Sequence, residues 1–134
     1  MTSKVSFVGE LRTNCVHIAS GSIINTDAPI DNHGKGELFS PTDLVSTMLA
    51  SCMMTIMGIA AQTHGFSIDG TTAEVEKIMA TNPRRIAKIR IVLDFPPCKY
   101  SDREKAFIKQ AAKECPVAQS LHPDLVQDII FNFK

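Results

Sequence analysis

SPTDLVSTMLASCMMTIMGIAAQTHG, residues 40–65, is the stretch on which the reading of this chain turns. Ser40 suits an N-cap, Pro41 the first helical position, and Asp43 stands where an N3 carboxylate reaches back to the cap. Gly65 supplies the C-terminal stop. Between them Leu44, Met48, Cys52 and Ile56 recur every fourth residue, flanked by Val45, Leu49, Met53, Met57 and Ala60, so apolar side chains surround most of the helix. Such a helix belongs at the centre of a molecule and needs cover from a second sheet or a second subunit. Leu44 to Ala61 holds no charge and approaches the length of a short bilayer span. Ser46, Thr47, Ser51, Thr55 and Gly58 lower its affinity for hydrocarbon and no strong basic flank orients it, so burial within protein is expected, not a membrane span.

Working outward, KVSFVGE (residues 4–10) and CVHIAS (15–20) alternate as strands. Gly21, Asn25, Asp27, Pro29, Asn32, Gly34 and Gly36 then read as turns, with residues 28–37 a mobile loop. Downstream, residues 72–80 and 86–95 form a predicted hairpin across Thr81–Arg84, closed by Pro96 and Pro97. The box Ser101–Glu104 opens a second helix with Phe107, Ile108, Ala111 and Ala112 as its buried stripe. Cys115-Pro116 opens a short third helix, and residues 126–133 alternate as a last strand. The class is α+β. With 134 residues and no internal repeat, a single domain over 1–134 is expected.

Fourteen basic side chains balance fourteen acidic ones, which argues against nucleic acid or an anionic membrane as partner. The amino terminus shows no signal-peptide pattern, so a cytoplasmic location is expected. There, four cysteines without a CxxC do not read as a disulfide framework, a zinc site or a thioredoxin motif. His17, His33, His64 and His122 lack ligand spacing, so neither a metal nor a cofactor is expected.

The cysteines differ by context. Cys115 at a helix start gains thiolate stabilisation from free N–H groups and the helix dipole, although a small buried side chain would also fit there. Cys52 on an apolar stripe reads as core unless a cation reaches it, Arg12, Arg84, Arg85 and Lys35 being candidates. Cys15 and Cys98 read as bystanders. Met48, Met53 and Met57 could line an apolar pocket but fit core filler better.

GKGELFSPTDLVSTMLASCMMTIMGIAAQTHG (34–65), followed by AAKECPVAQSL (111–121), resembles the OsmC/Ohr family, and the order of elements resembles it from Val5 to Phe133. The resemblance implies an α+β fold, an intertwined homodimer with antiparallel sheets wrapped around long central helices. It also implies a thiol peroxidase acting on organic or small hydroperoxides. Cys52 would be the peroxidatic thiol, Cys115 the resolving thiol, Arg12 the thiolate stabiliser, and an external dithiol of lipoyl type the reductant. Organic-hydroperoxide reductases carry a glutamate after the helix-starting proline, where this chain has Thr42. Asp43, one residue on, is rotated by about 100° and has a sufficient role as a cap. Glu37 is the other possible carboxylate. Two rival readings remain: a non-enzymatic dimer that binds a small apolar molecule or partner, its thiols serving as a slow redox switch or as core residues, and single-thiol sulfur or acyl chemistry at Cys115.

Overall fold

The computed structural model describes residues 1–134, which divide into two compact units, Met1–Val45 and Ser46–Lys134. In the first unit, β1 (Ser3–Gly9), β2 (Arg12–His17) and β3 (Ile23–Asp27) form an antiparallel sheet in that order. Glu10 and Leu11 make the two-residue turn between β1 and β2, both with positive φ, which matches the twist of the flanking strands. β3 is the strand the sequence reading lacks, because IINTD carries turn-forming residues at its end. Register puts Arg12 opposite Asp27, Thr13 opposite Thr26 and Asn14 opposite Asn25, and each pair joins through its side chains. Matched polar pairs, rather than apolar alternation, hold β3 in place.

The predicted mobile loop is a hydrogen-bonded turn. Asn32 N and Gly34 N donate to Pro29 O, and Gly36 N donates to Ala28 O. A Cβ on Gly34 would meet Ala28 O at 1.8 Å, so only glycine permits this closure.

The central helix α1 (Pro41–His64) begins as predicted. Ser40 Oγ accepts from Asp43 N at 3.0 Å and Asp43 Oδ2 accepts from Ser40 N at 3.0 Å, a reciprocal capping box. Its buried stripe is Ser46, Leu49, Ala50, Met53, Met57 and Ala61. The predicted row of Leu44, Met48, Cys52 and Ile56 lies beside that stripe: Met48 is 42 % exposed and Cys52 half-buried. α1 is long and apolar enough to cross a membrane by length and composition, yet its stripe belongs to a core shared with the second sheet.

That sheet contains β4 (Thr72–Ala80), β5 (Arg85–Asp94) and β6 (Val126–Asn132) in that order. β4 and β5 form the predicted hairpin. β6 runs parallel to β5, which departs from the expectation of purely antiparallel sheets. The physical reason is the connection, since α2 (Asp102–Glu114) and α3 (Pro116–Ser120) lie between β5 and β6 and make the crossover a parallel pair needs. Ile89, Ile91 and Leu93 of β5 join Leu49, Met53, Met57 and Ile108 in the core, each fully buried apolar side chain contributing about 1.5–3 kcal/mol. At the ends of these elements Phe95, Tyr100, Phe131 and Phe133 cluster, with the Tyr100 hydroxyl donating to Ser67 O at 2.9 Å. α2 opens with the predicted box, Ser101 Oγ accepting from Glu104 N.

Candidate functional site

Two of the candidate residues meet within the second unit. Cys115 is the N-cap of α3, its Sγ accepting from Ala118 N at 3.5 Å, and its thiol lies beside that of Cys52 on α1, close enough for the two to interact. Sixty-two residues separate them in the chain, and the packing of α2 back towards α1 closes that gap. Both are free thiols.

The helix start does not make Cys115 a low-pKa thiol, contrary to the expectation from its position. The side chain is completely buried, and desolvation, together with the adjacent Cys52, pushes the thiol up. The Ala118 and Val117 N–H groups pull the other way and do not prevail. Sequence shows a cap; the burial that reverses its effect comes from the core around it.

The first unit holds a preassembled cation. Arg12 donates from Nε to Asp27 Oδ1 at 2.6 Å and from Nη2 to Asp27 Oδ2 at 2.8 Å, a two-point pairing of guanidinium and carboxylate. Nη2 also reaches Glu37 Oε2 at 3.2 Å. Arg12 holds the Asp27 carboxyl below its ordinary range, against desolvation, with backbone N–H groups of Glu37 and Leu38 assisting. Asp27 in turn holds the guanidinium firmly protonated. Lys35 pairs instead with Glu10 at 2.7 Å, and Arg85 donates to the carbonyls of Thr81 and Pro83, so each has a local structural role.

Asp27 is the residue sequence reasoning missed. Read as turn punctuation, it is 1 % exposed and stands directly across the sheet from Arg12. Only the β2–β3 register reveals the pair. Glu37 is placed on Arg12, whereas Asp43 is engaged in the cap of α1. Cys15 lies half-buried on β2 and Cys98 is exposed beside Tyr100. Met53 and Met57 are core residues. No cluster of three or more His, Cys, Asp or Glu side chains is placed to hold a metal ion. A cavity of about 480 Å³ between α1 and β4 is lined by Thr47, Ser51, Met54, Thr55 and Val75 and by neither thiol of the pair.

The arrangement defines an α+β chain with two thiols in contact, one on a long central helix and one at a later helix start. The model of the OsmC-like protein family matches residues 34–128, and the chain belongs to that family. A protein from Psychrobacter arcticus 273-4, named for osmotic stress induction and a detoxification response, is 49 % identical, with a TM-score of 0.94 over 98 % of this chain and 96 % of that one. An OsmC-like protein from Mycoplasma pneumoniae shares the fold at 18 % identity and TM-score 0.79, over 98 % of this chain and 94 % of that one. An organic hydroperoxide resistance protein from Legionella pneumophila does so at 14 % identity and TM-score 0.74, over 98 % and 97 %. Among curated proteins, none matches this chain.

Proposed function

We propose that this protein is a homodimeric, cytoplasmic, thiol-dependent hydroperoxide reductase, its two units acting as one OsmC-like domain over 1–134. The single observation that carries the reading is the contact between the Cys52 and Cys115 thiols in a chain of this family. Cys52, half-buried where Cys115 is sealed, is the thiol open to peroxide. Its thiolate attacks the distal oxygen of R–O–O–H; the O–O bond breaks, RO⁻ leaves and takes a proton, and Cys52 becomes a sulfenic acid. The Cys115 sulfur, losing its proton, attacks the Cys52 sulfur, water leaves and a disulfide forms. An external dithiol of lipoyl type then reduces the disulfide by exchange and is itself oxidised.

Arg12 is the cation assigned to the Cys52 thiolate, with Asp27 and Glu37 fixing its orientation. Thr42 stands where organic-hydroperoxide reductases have their glutamate, and Asp27 fills the same need from β3. The Legionella relative is named for organic hydroperoxide resistance, which supports a hydroperoxide as substrate. Val5, Phe7, Val8, Ile23 and Ile24 are exposed on the first sheet, which supports a second copy as their cover.

The test is a thiol count by mass spectrometry after one equivalent of cumene hydroperoxide, on wild type and Cys115→Ser. The expected result is a Cys52–Cys115 disulfide in wild type and a trapped sulfenic acid on Cys52 in the variant. If both thiols stay reduced in the folded protein, the reading fails and small-molecule binding takes its place. Turnover that survives Cys52→Ser would instead establish single-thiol chemistry at Cys115.

A further inference from the structure

Between α2 and the edge strand β6, the second unit carries a cavity of about 260 Å³ that neither thiol lines. Met53, Ile129 and Phe131 supply its apolar wall; Lys109, Lys113 and Gln127 supply its polar one. Lys109 and Lys113 are one helical turn apart, which places their side chains on the same face of α2.

Their charges are not neutralised within the chain, because neither lysine forms an ion pair and the nearby acids are engaged elsewhere. Glu114 accepts from Gln110 at 2.8 Å, and Glu104 closes the cap of α2 on Ser101 N at 3.0 Å. Asp128 alternates to the other face of β6, where it meets Lys88 and Arg90. Gln127 is held by its donation to Ala118 O at 3.0 Å. Lys109 Nζ also sits 5.9 Å from the centre of the Phe133 ring, which restrains its stem beside the cavity.

Two uncompensated ammonium groups beside a small apolar cavity call for a ligand with one anionic end and one apolar end. The volume falls below the roughly 300–1,000 Å³ of sites for drug-sized molecules, so the apolar body must be short. We propose that this cavity binds small amphipathic carboxylates, the carboxylate pairing with Lys109 and Lys113 and a short acyl or aryl body resting on Met53, Ile129 and Phe131. The site does not depend on the thiol reaction: a protein that fails the peroxide test retains it.

The experiment titrates sodium hexanoate into the full-length ¹⁵N-labelled protein and follows amide shifts. Hexanamide, which lacks the charge, and acetate, which lacks the body, are titrated in parallel. The expected result is a saturable shift centred on residues 109–113 and 127–131. Binding should be weaker by roughly fivefold or more for hexanamide, and for Lys109→Gln/Lys113→Gln with hexanoate, as the loss of two partly exposed ion pairs implies, and by at least as much for acetate, which loses the apolar contact. Both lysines are exposed, so the double variant should keep its fold, and Lys99→Gln should bind hexanoate as wild type does. Unsaturable or scattered shifts, equal binding of hexanamide, or full binding by the double variant would each overturn the proposal.

Discussion

The two sheets of this protein are held by opposite means. In the first unit the buried residues are Thr26, Asp27 and Ser40, all polar, while Val5, Phe7, Ile23 and Ile24 lie exposed. In the second, Leu49, Met53, Ile89, Ile91, Leu93 and Phe95 are buried, and Ser46 is the one polar residue among the buried set. One unit has a hydrophobic core and the other has a register of matched polar pairs. The first therefore sets geometry, above all at Arg12, whereas the second supplies stability.

The contrast breaks most sharply at the core. Phe95→Ala is expected to lower unfolding free energy by about 3–5 kcal/mol in urea titrations, the usual cost of emptying a well-packed aromatic site. Phe7→Ala, at 69 % exposure, should cost less than about 0.5 kcal/mol in dilute monomer; a larger cost that grows with protein concentration would place Phe7 in an interface between copies of the chain.

Asp27→Asn tests whether the polar register acts through Arg12. On the proposed mechanism it should slow peroxide-driven disulfide formation by roughly tenfold, the equivalent of one lost hydrogen bond between charged groups, with unfolding of the second unit unchanged. Glu37→Gln should have a smaller effect, because its contact is longer and exposed. An unchanged rate in Asp27→Asn would remove Asp27 from the mechanism.

Acid should separate the units in the same order. The folded carboxyl of Asp27 titrates below its unfolded value of about 4, so its contribution is complete above that pH and is lost as pH falls through the folded pKa. Hydrogen exchange at acid pH should therefore accelerate first in β2 and β3, while β5 stays protected. Ser101→Ala should cost about 1 kcal/mol in the same urea titrations, from losing the N-cap of α2, well short of the cost of emptying the Phe95 site.

What was legible in the sequence follows the same division. Ser40, Pro41 and Asp43 announce α1, Ser101 and Glu104 announce α2, and Cys115-Pro116 announces α3, because caps are local and leave local patterns. The β4–β5 hairpin was readable from alternation around a proline turn. β3 was not, since Thr26 and Asp27 are buried polar residues whose partners lie on another strand. For the same reason Asp27 escaped notice as a companion of Arg12. The high pKa of Cys115 also lay out of reach, since a cap pattern says nothing of how deeply the core will bury it.

The polar interior of the first 45 residues also bears on the order of events during synthesis. Those residues leave the ribosome before the second unit does, and they contain no buried apolar side chain with which to collapse. The 89 residues of the second unit, Ser46–Lys134, must follow before its core can close, on the order of ten seconds at common translation rates. Throughout that interval β1 is an edge strand bearing exposed Val5 and Phe7, a template for pairing with another nascent chain. Folding is therefore a race between closure of the second unit's core and premature pairing of the first sheet, and slower elongation should increase the dependence on chaperones.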